Sequence, residues 1–226
     1  MKLHYHIINL LLLLLLFPSC NSQTTTGNNH RATGAKQELV GGGCDGCELM
    51  FVDMPGIIHS VDTSSAWAGD GQKLLVKGLV YKRDGKTPAP DVIVYYWQTG
   101  NDGLYTPKVG MDERAKRHGH IRGWIKTSAD GTYAIYTIRP KPYPNSSNPA
   151  HIHFSIKEPN ITNEYYVDEL VFDDDPFLTA AIRKQHDNRG GSGIVKVQTK
   201  GTTKVAQHDI ILGLNVPNYP PMSTNH

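Results

Sequence analysis

Cysteine is scarce in this chain, with three in 226 residues, at positions 20, 44 and 47. Cys44 and Cys47 form one C-x-x-C, and no second one exists to complete a four-thiolate zinc site. No βαβ pattern surrounds the pair, which argues against a thioredoxin-like motif. An excess of charge of one sign is also missing. Lys+Arg number 23 against 21 Asp+Glu, for a net charge of +2, and no basic stripe stands out, so nucleic-acid binding has no electrostatic support. The longest apolar run, residues 7–17 broken only by Asn9, is too short to span a bilayer as a helix. No internal repeat is present. Helix signals are few: Asp175-Pro176 is the one clear start, an N-cap followed by proline at the first helical position.

What the chain does carry begins with an address. Lys2 precedes the apolar run, and Phe17-Pro18-Ser19-Cys20 closes it. This is the pattern of a secretory signal, and its end resembles a bacterial lipobox in which Cys20 becomes the lipidated first residue. A plain secretory signal cut nearby is the alternative; either way the protein is expected to be exported to the cell envelope. Loss of residues 1–19 removes Lys2 and no acidic residue, lowering the formal charge by one from +2. Membrane attachment would then rest on the lipid on Cys20 and not on charge. Residues 20–36 are rich in Ser, Thr, Gln, Asn and Gly and read as a tether; 37–216 read as one domain, and 217–226 as a polar, Pro-rich tail. Outside the cytoplasm Cys44 and Cys47 are expected to form a disulfide, with a redox-active dithiol or half a zinc site as alternatives.

The domain has a β texture. Gly (22), Pro (14) and Tyr (11) are plentiful, a mix that suits short strands joined by turns. Strands are predicted over 74–82, 91–98, 123–127, 132–138, 151–157, 164–172, 194–200 and 204–212. Asp84-Gly85, Asp130-Gly131 and Gly201-Thr202 mark turns between them. The expected fold is all-β, a two-sheet sandwich with one short helix running through Ala180 and Arg183.

Pro149-Ala150-His151-Ile152-His153 is the most informative stretch. A strand points i and i+2 to one face, so His151 and His153 project side by side while Ile152, Phe154 and Ile156 face the core. Two such imidazoles can grip a metal ion, although on the H-x-H alone an exposed polar face that happens to carry two histidines is the favoured reading. Two tyrosines strengthen the metal reading. Tyr143 sits between Pro142 and Pro144, which stiffen its backbone, and Tyr105 lies in a loop just after the Tyr95-Tyr96-Trp97 segment. A phenol, with a pKa near 10, binds metal only when the ion helps remove its proton. A set of two tyrosines and two histidines therefore favours a hard ion such as Fe(III) over zinc.

These residues sit in a wider pattern. The chain resembles the intradiol ring-cleavage dioxygenases, the group of catechol 1,2-dioxygenases and protocatechuate 3,4-dioxygenases, over about residues 73–176. The likeness includes Gly78-Leu79-Val80-Tyr81, Val94-Tyr95-Tyr96-Trp97-Gln98, Gly103-Leu104-Tyr105 and Arg122-Gly123-Trp124. It continues through Thr137-Ile138-Arg139-Pro140-Lys141-Pro142-Tyr143-Pro144 and Pro149 to His153. The resemblance implies a β-sandwich holding non-haem Fe(III), with Tyr105 and His151 as equatorial ligands and Tyr143 and His153 as axial ones. It also implies O2-dependent cleavage of a small aromatic diol to a cis,cis-muconate-type diacid, with Tyr143 leaving the iron to accept a substrate proton. Family members often assemble from subunits, so a homo-oligomer is an option that no residue here locates.

Two positions depart from the pattern. Asn148 stands where typical members carry arginine, and Glu169 where they carry glutamine; both are expected at the substrate pocket. Asparagine is a weak substitute for an arginine that stabilises developing negative charge, and an acid at 169 would disfavour an acidic substrate. His118, His120, Arg122, Arg139 and Lys141 are candidates to supply the missing positive charge, or are surface and packing residues. These departures keep a second reading open, a dioxygenase-like sandwich that binds metal or ligand without turnover. A third is an envelope adhesion or carbohydrate-binding sandwich without metal.

Overall fold

The computed structural model describes residues 38–221. Cys20, the signal segment and the tether fall outside that range. Among the described residues eleven strands follow in order: β1 (Val61–Thr63), β2 (Lys73–Tyr81), β3 (Ile93–Gln98), β4 (Arg122–Lys126), β5 (Thr132–Ile138), β6 (His151–Lys157), β7 (Tyr165–Phe172), β8 (Ile194–Val195), β9 (Val197–Lys200), β10 (Thr203–Gln207) and β11 (Ile210–Ile211), with one α-helix, α1 (Ala180–Gln185), between β7 and β8. Short 3-10 turns cover Cys47–Phe51 and Glu113–His118. Among the described residues no helix is long and apolar enough to cross a membrane.

The strands form two sheets. One runs β1-β5-β2-β10-β9, with β11 also paired to β2, and the other runs β4-β3-β6-β7-β8. Alternation decides what lies between them. Val76, Tyr133 and Ile135 of the first sheet meet Val94, Tyr96, Phe154 and Leu170 of the second in one core. Ile152, Phe154 and Ile156 are buried as their spacing predicts, each contributing about 1.5–3 kcal/mol of burial free energy. The other face of the second sheet carries Tyr95, Trp97, His151 and His153. It is partly covered by the Cys47–Phe51 turn, whose Met50 packs on Tyr95 and Trp97. Cys44 and Cys47 are joined at the start of that turn, with Cα atoms 5.5 Å apart.

Three elements differ from their predicted outlines. The stretch 194–200 is two strands in different sheets, β8 pairing with β7 and β9 with β10, so the chain changes sheets at Lys196. The stretch 204–212 divides into β10 and β11, both parallel to β2. Between them the His208 carbonyl takes the space that a side chain on Gly78 would need, and the Asp209 carboxylate accepts the Leu79 N–H at 3.0 Å. The helix does not begin at Asp175. The carboxylate of Asp175 instead accepts the N–H groups of Ala150 at 3.0 Å and Phe177 at 2.9 Å, tying the histidine strand to the following loop. Thr179 caps α1 by accepting from the Ile182 N–H. Strand β1, three half-exposed residues parallel to β5 at the sheet edge, has too little apolar pattern to be seen in sequence. Beyond β11 the chain returns along residues 39–41: Gly41 N–H donates to the Pro217 carbonyl at 2.8 Å, and the Tyr219 hydroxyl donates to Glu158 at 2.9 Å.

Candidate metal centre

The sequence places its four metal-seeking residues on three segments, and the fold brings those segments to one edge of the second sheet. His151 and His153 open β6. Their Nδ1 atoms are already engaged: that of His151 lies 2.7 Å from the Pro149 carbonyl, and that of His153 lies 2.9 Å from the Glu169 carboxylate. A carbonyl can only accept, so the His151 proton sits on Nδ1 and its Nε2 lone pair is free; the ionised carboxylate does the same for His153. Trp97 is the cross-strand partner of His153. Its indole stacks on the imidazole with centroids 4.6 Å apart and 12° between planes, and the same indole stacks on His118 at 4.1 Å.

Tyr143 is carried by the segment after β5, held to the end of β3 where the Thr99 hydroxyl donates to the Lys141 carbonyl at 2.6 Å and Lys141 N–H donates to the Gly100 carbonyl at 3.2 Å. Tyr105 is carried by the loop after β3, closed by Gly100 N–H to the Leu104 carbonyl at 2.9 Å. The two loops touch at Gly103, whose φ is +76° and where a Cβ would stand 2.2 Å from the Pro142 carbonyl oxygen. Only glycine allows this approach.

The result is a chain of donor atoms. Tyr105 Oη is 2.7 Å from His153 Nε2 and 2.7 Å from Tyr143 Oη, and Tyr143 Oη is 2.9 Å from His151 Nε2. Ligands at right angles on one ion, with bonds of about 2.0–2.1 Å, lie about 3 Å apart, so these spacings fit donors that share a cation. Glu169 joins the histidines in a cluster whose potential ligand atoms lie within 4.8 Å of one another. Its contact is with Nδ1 of His153, on the far side of the ring from the tyrosines, which suits orientation of the imidazole better than a place beside the phenols. Burial raises the Tyr105 phenol well above its ordinary value, helped by the adjacent Tyr143 hydroxyl and by Glu169. Burial raises Tyr143 too, against the pull of its bond to Tyr105, and lowers His151. Both phenols keep their protons until a strongly charged cation displaces them, so the donor set fits a hard, highly charged ion.

A family profile described as Dioxygenase matches residues 58–207, a span that contains all four donors. The chain belongs to the intradiol dioxygenase family. Among the relatives of this chain is the protocatechuate 3,4-dioxygenase beta chain of Burkholderia cepacia, 29% identical over 138 residues, 56% of either chain. Catechol 1,2-dioxygenase 1 of Acinetobacter lwoffii is 26% identical over 149 residues, 55% of this chain and 47% of that protein. The chain thus spans about half the length of the curated relatives it matches. The dioxygenase domain of a dioxygenase–carbohydrate-binding protein fusion from the cellulolytic bacterium Streptomyces sp. SirexAA-E shares the fold, with a TM-score of 0.51 and 23% identity over 71% of this chain and 96% of that one.

The remaining candidates separate into two groups. Asn148 and Glu169 line a cavity of about 280 Å³ together with Tyr143, His151 and α1 residues Ile182 and Gln185. The five basic candidates do not line it. His118 lies behind Trp97 with its Nδ1 2.8 Å from the Tyr95 hydroxyl, and His120 Nδ1 is 2.6 Å from the Thr106 carbonyl. Arg122 pairs with Asp53 at 2.7 Å and Arg139 with Asp174 at 2.6 Å, while Lys141 borders a different cavity with Arg139. Sequence reasoning missed the stacking role of Trp97. The signal was its i, i+2 relation to Tyr95, but the partner ring became visible only with the β3–β6 register.

Proposed function

We propose that this chain holds non-haem Fe(III) through Tyr105, Tyr143, His151 and His153 and cleaves a catechol-type diol between its two hydroxylated carbons with O2, giving a cis,cis-muconate-type diacid. The observation that carries this reading is the run of three contacts, 2.7, 2.7 and 2.9 Å, linking His153 Nε2, Tyr105 Oη, Tyr143 Oη and His151 Nε2. When bound, the ferric ion withdraws electron density from the diol oxygens and makes the ring itself reactive toward O2.

The side chains supply the rest. Tyr143 borders the cavity, so its phenolate oxygen is the one positioned to accept a proton from an arriving diol hydroxyl and swing aside. The Nδ1–H bonds of His151 and His153 keep both rings aimed. Trp97 and His118 close the sheet side of the centre against water. Residues 37–216 would form the catalytic domain, exported and tethered through a lipid on Cys20, with the Cys44–Cys47 disulfide suited to an oxidising compartment. A second reading, binding without turnover, draws on Asn148: no Lys or Arg lines the cavity beside the donors, so developing negative charge on a substrate lacks a cationic partner.

The test is the visible spectrum of iron-loaded protein. Tyrosinate on Fe(III) should give a red-brown charge-transfer band that shifts on adding catechol under air, with oxygen uptake and muconate formation. A colourless iron-loaded protein overturns the ligand set, whereas a shifted band without oxygen uptake supports the binder.

A further inference from the structure

The cavity beside the donors continues along the outer face of β7 into a second one of about 200 Å³, and the two share Glu169, Ile182, Gln185 and His186. The charges on this path are carboxylates. Asp168 and Asp187 border the second cavity and Glu169 borders both, while no Lys or Arg side chain lines either. Arg183 is committed to Asp173 at 2.7 Å and Arg139 to Asp174 at 2.6 Å. Two of the three acids are also answered. Arg189 lies 3.4 Å from Asp187, and Asp168 accepts the Asn188 N–H at 2.8 Å with His186 Nδ1 at 3.5 Å. Glu169 has only the His153 Nδ1–H at 2.9 Å and stands where both cavities meet.

A β-bulge puts it there. In the β6–β7 ladder Ile152 faces Leu170 and Phe154 faces Val167, so Asp168 and Glu169 together oppose His153. The extra residue shifts the alternation, leaving Val167 and Leu170 both in the core and turning Glu169 to the face of the histidines. A ring seated with its oxygens at Tyr143 and His151 therefore has Glu169, Asn148, Ile182 and Gln185 around its remaining edge, away from the donor atoms, an edge with one negative charge and no Lys or Arg to offset it.

We infer that Glu169 and Asn148 determine specificity, and that the diol taken here bears a neutral hydrogen-bond-donating or cationic ring substituent and not a carboxylate. This rests on the catechol-cleaving reading of the centre. A carboxylate on the ring would face Glu169 without a partner; an ammonium or hydroxyl group would find Glu169, Gln185 and His186 as acceptors.

Three size-matched probes test it on the iron-loaded full chain: 4-(2-aminoethyl)catechol, 4-ethylcatechol and 3,4-dihydroxyphenylacetate. Binding is read from the shift of the charge-transfer band, independently of turnover. The ammonium probe is expected to bind on the order of tenfold more tightly than the carboxylate, the scale of one charge contact at a partly wet site, with the ethyl probe between. Glu169→Gln keeps an acceptor for His153 and should collapse this spread. Asn148→Arg, which does not touch a donor, should selectively tighten the carboxylate probe. Equal or tighter binding of the carboxylate by the native protein overturns the selectivity and leaves the catechol reading standing. If no probe shifts the band, the catechol reading falls and this inference falls with it.

Discussion

Trp97 and His153 are directly paired across β3 and β6, and their rings stack 4.6 Å apart with planes 12° from parallel. The Glu169 carboxylate holds the same imidazole from its Nδ1 edge at 2.9 Å. One contact sets the plane of the ring and the other its rotation within that plane, so Nε2 is delivered to Tyr105. Trp97 is 7% exposed, so Trp97→Ala should cost about 3–5 kcal/mol in stability and lower the iron bound per chain. Trp97→Phe, which can still stack, should keep most of the iron. Metal analysis and chemical denaturation of the two variants separate loss of ring orientation from loss of packing.

His153→Ala removes the nitrogen at one end of the donor chain. Its side chain is only partly buried and lies on the outer face of β6, away from the core, so the sandwich should survive with unchanged far-ultraviolet circular dichroism. The protein should lose both colour and iron. Retained iron and colour would count directly against the ligand assignment.

Gly103→Ala tests the meeting of the two tyrosine loops. At φ +76° an added Cβ would stand 2.2 Å from the Pro142 carbonyl oxygen, and an L-residue there carries backbone strain of about 1–3 kcal/mol before the clash is counted. The loops should part, lengthening the 2.7 Å contact between Tyr105 and Tyr143. The expected result is a lower unfolding midpoint together with weakened iron retention, and a variant with native iron affinity would show that the loops are positioned by other contacts.

Acid stability is expected to follow buried histidines. His208 stacks on Phe154 with centroids 5.2 Å apart, and burial pushes its pKa down from 6.5 to about 4. The ring is neutral in the fold, so between these values the unfolded chain binds the extra proton and stability falls as pH drops through the window. Below it the folded ring also protonates and the loss levels off. The full contribution is about 3 kcal/mol. Burial likewise drives His118 down to about 3, so both groups act together. Denaturant melts of His208→Phe between pH 4 and 7 should show a shallower decline than the native protein, and an unchanged slope would exclude His208 as a source.

Much of this protein is legible in order along the chain. The β-branched and aromatic run of β3, the alternation of β5 and β6, the turn glycines, the H-x-H pair and the proline-flanked Tyr143 are local patterns, and period-2 spacing alone assigns Ile152, Phe154 and Ile156 to the core and His151 and His153 to the opposite face. The motifs joining these elements point to the dioxygenase family that the comparison bears out. What period-2 reading cannot supply is anything that depends on which strand lies beside which. The bulge opposite His153 reverses the alternation of β7, so a glutamate that local spacing treats as one more strand residue becomes the neighbour of an imidazole. The division of 194–200 between two sheets, the use of Asp175 as a tie to Ala150 instead of a helix cap, and the stacking of Trp97 on His153 have the same origin. Side-chain chemistry and periodicity are properties of the chain, whereas register, sheet membership and the approach of one loop to another are settled only when distant segments compete for the same backbone partners and the same space.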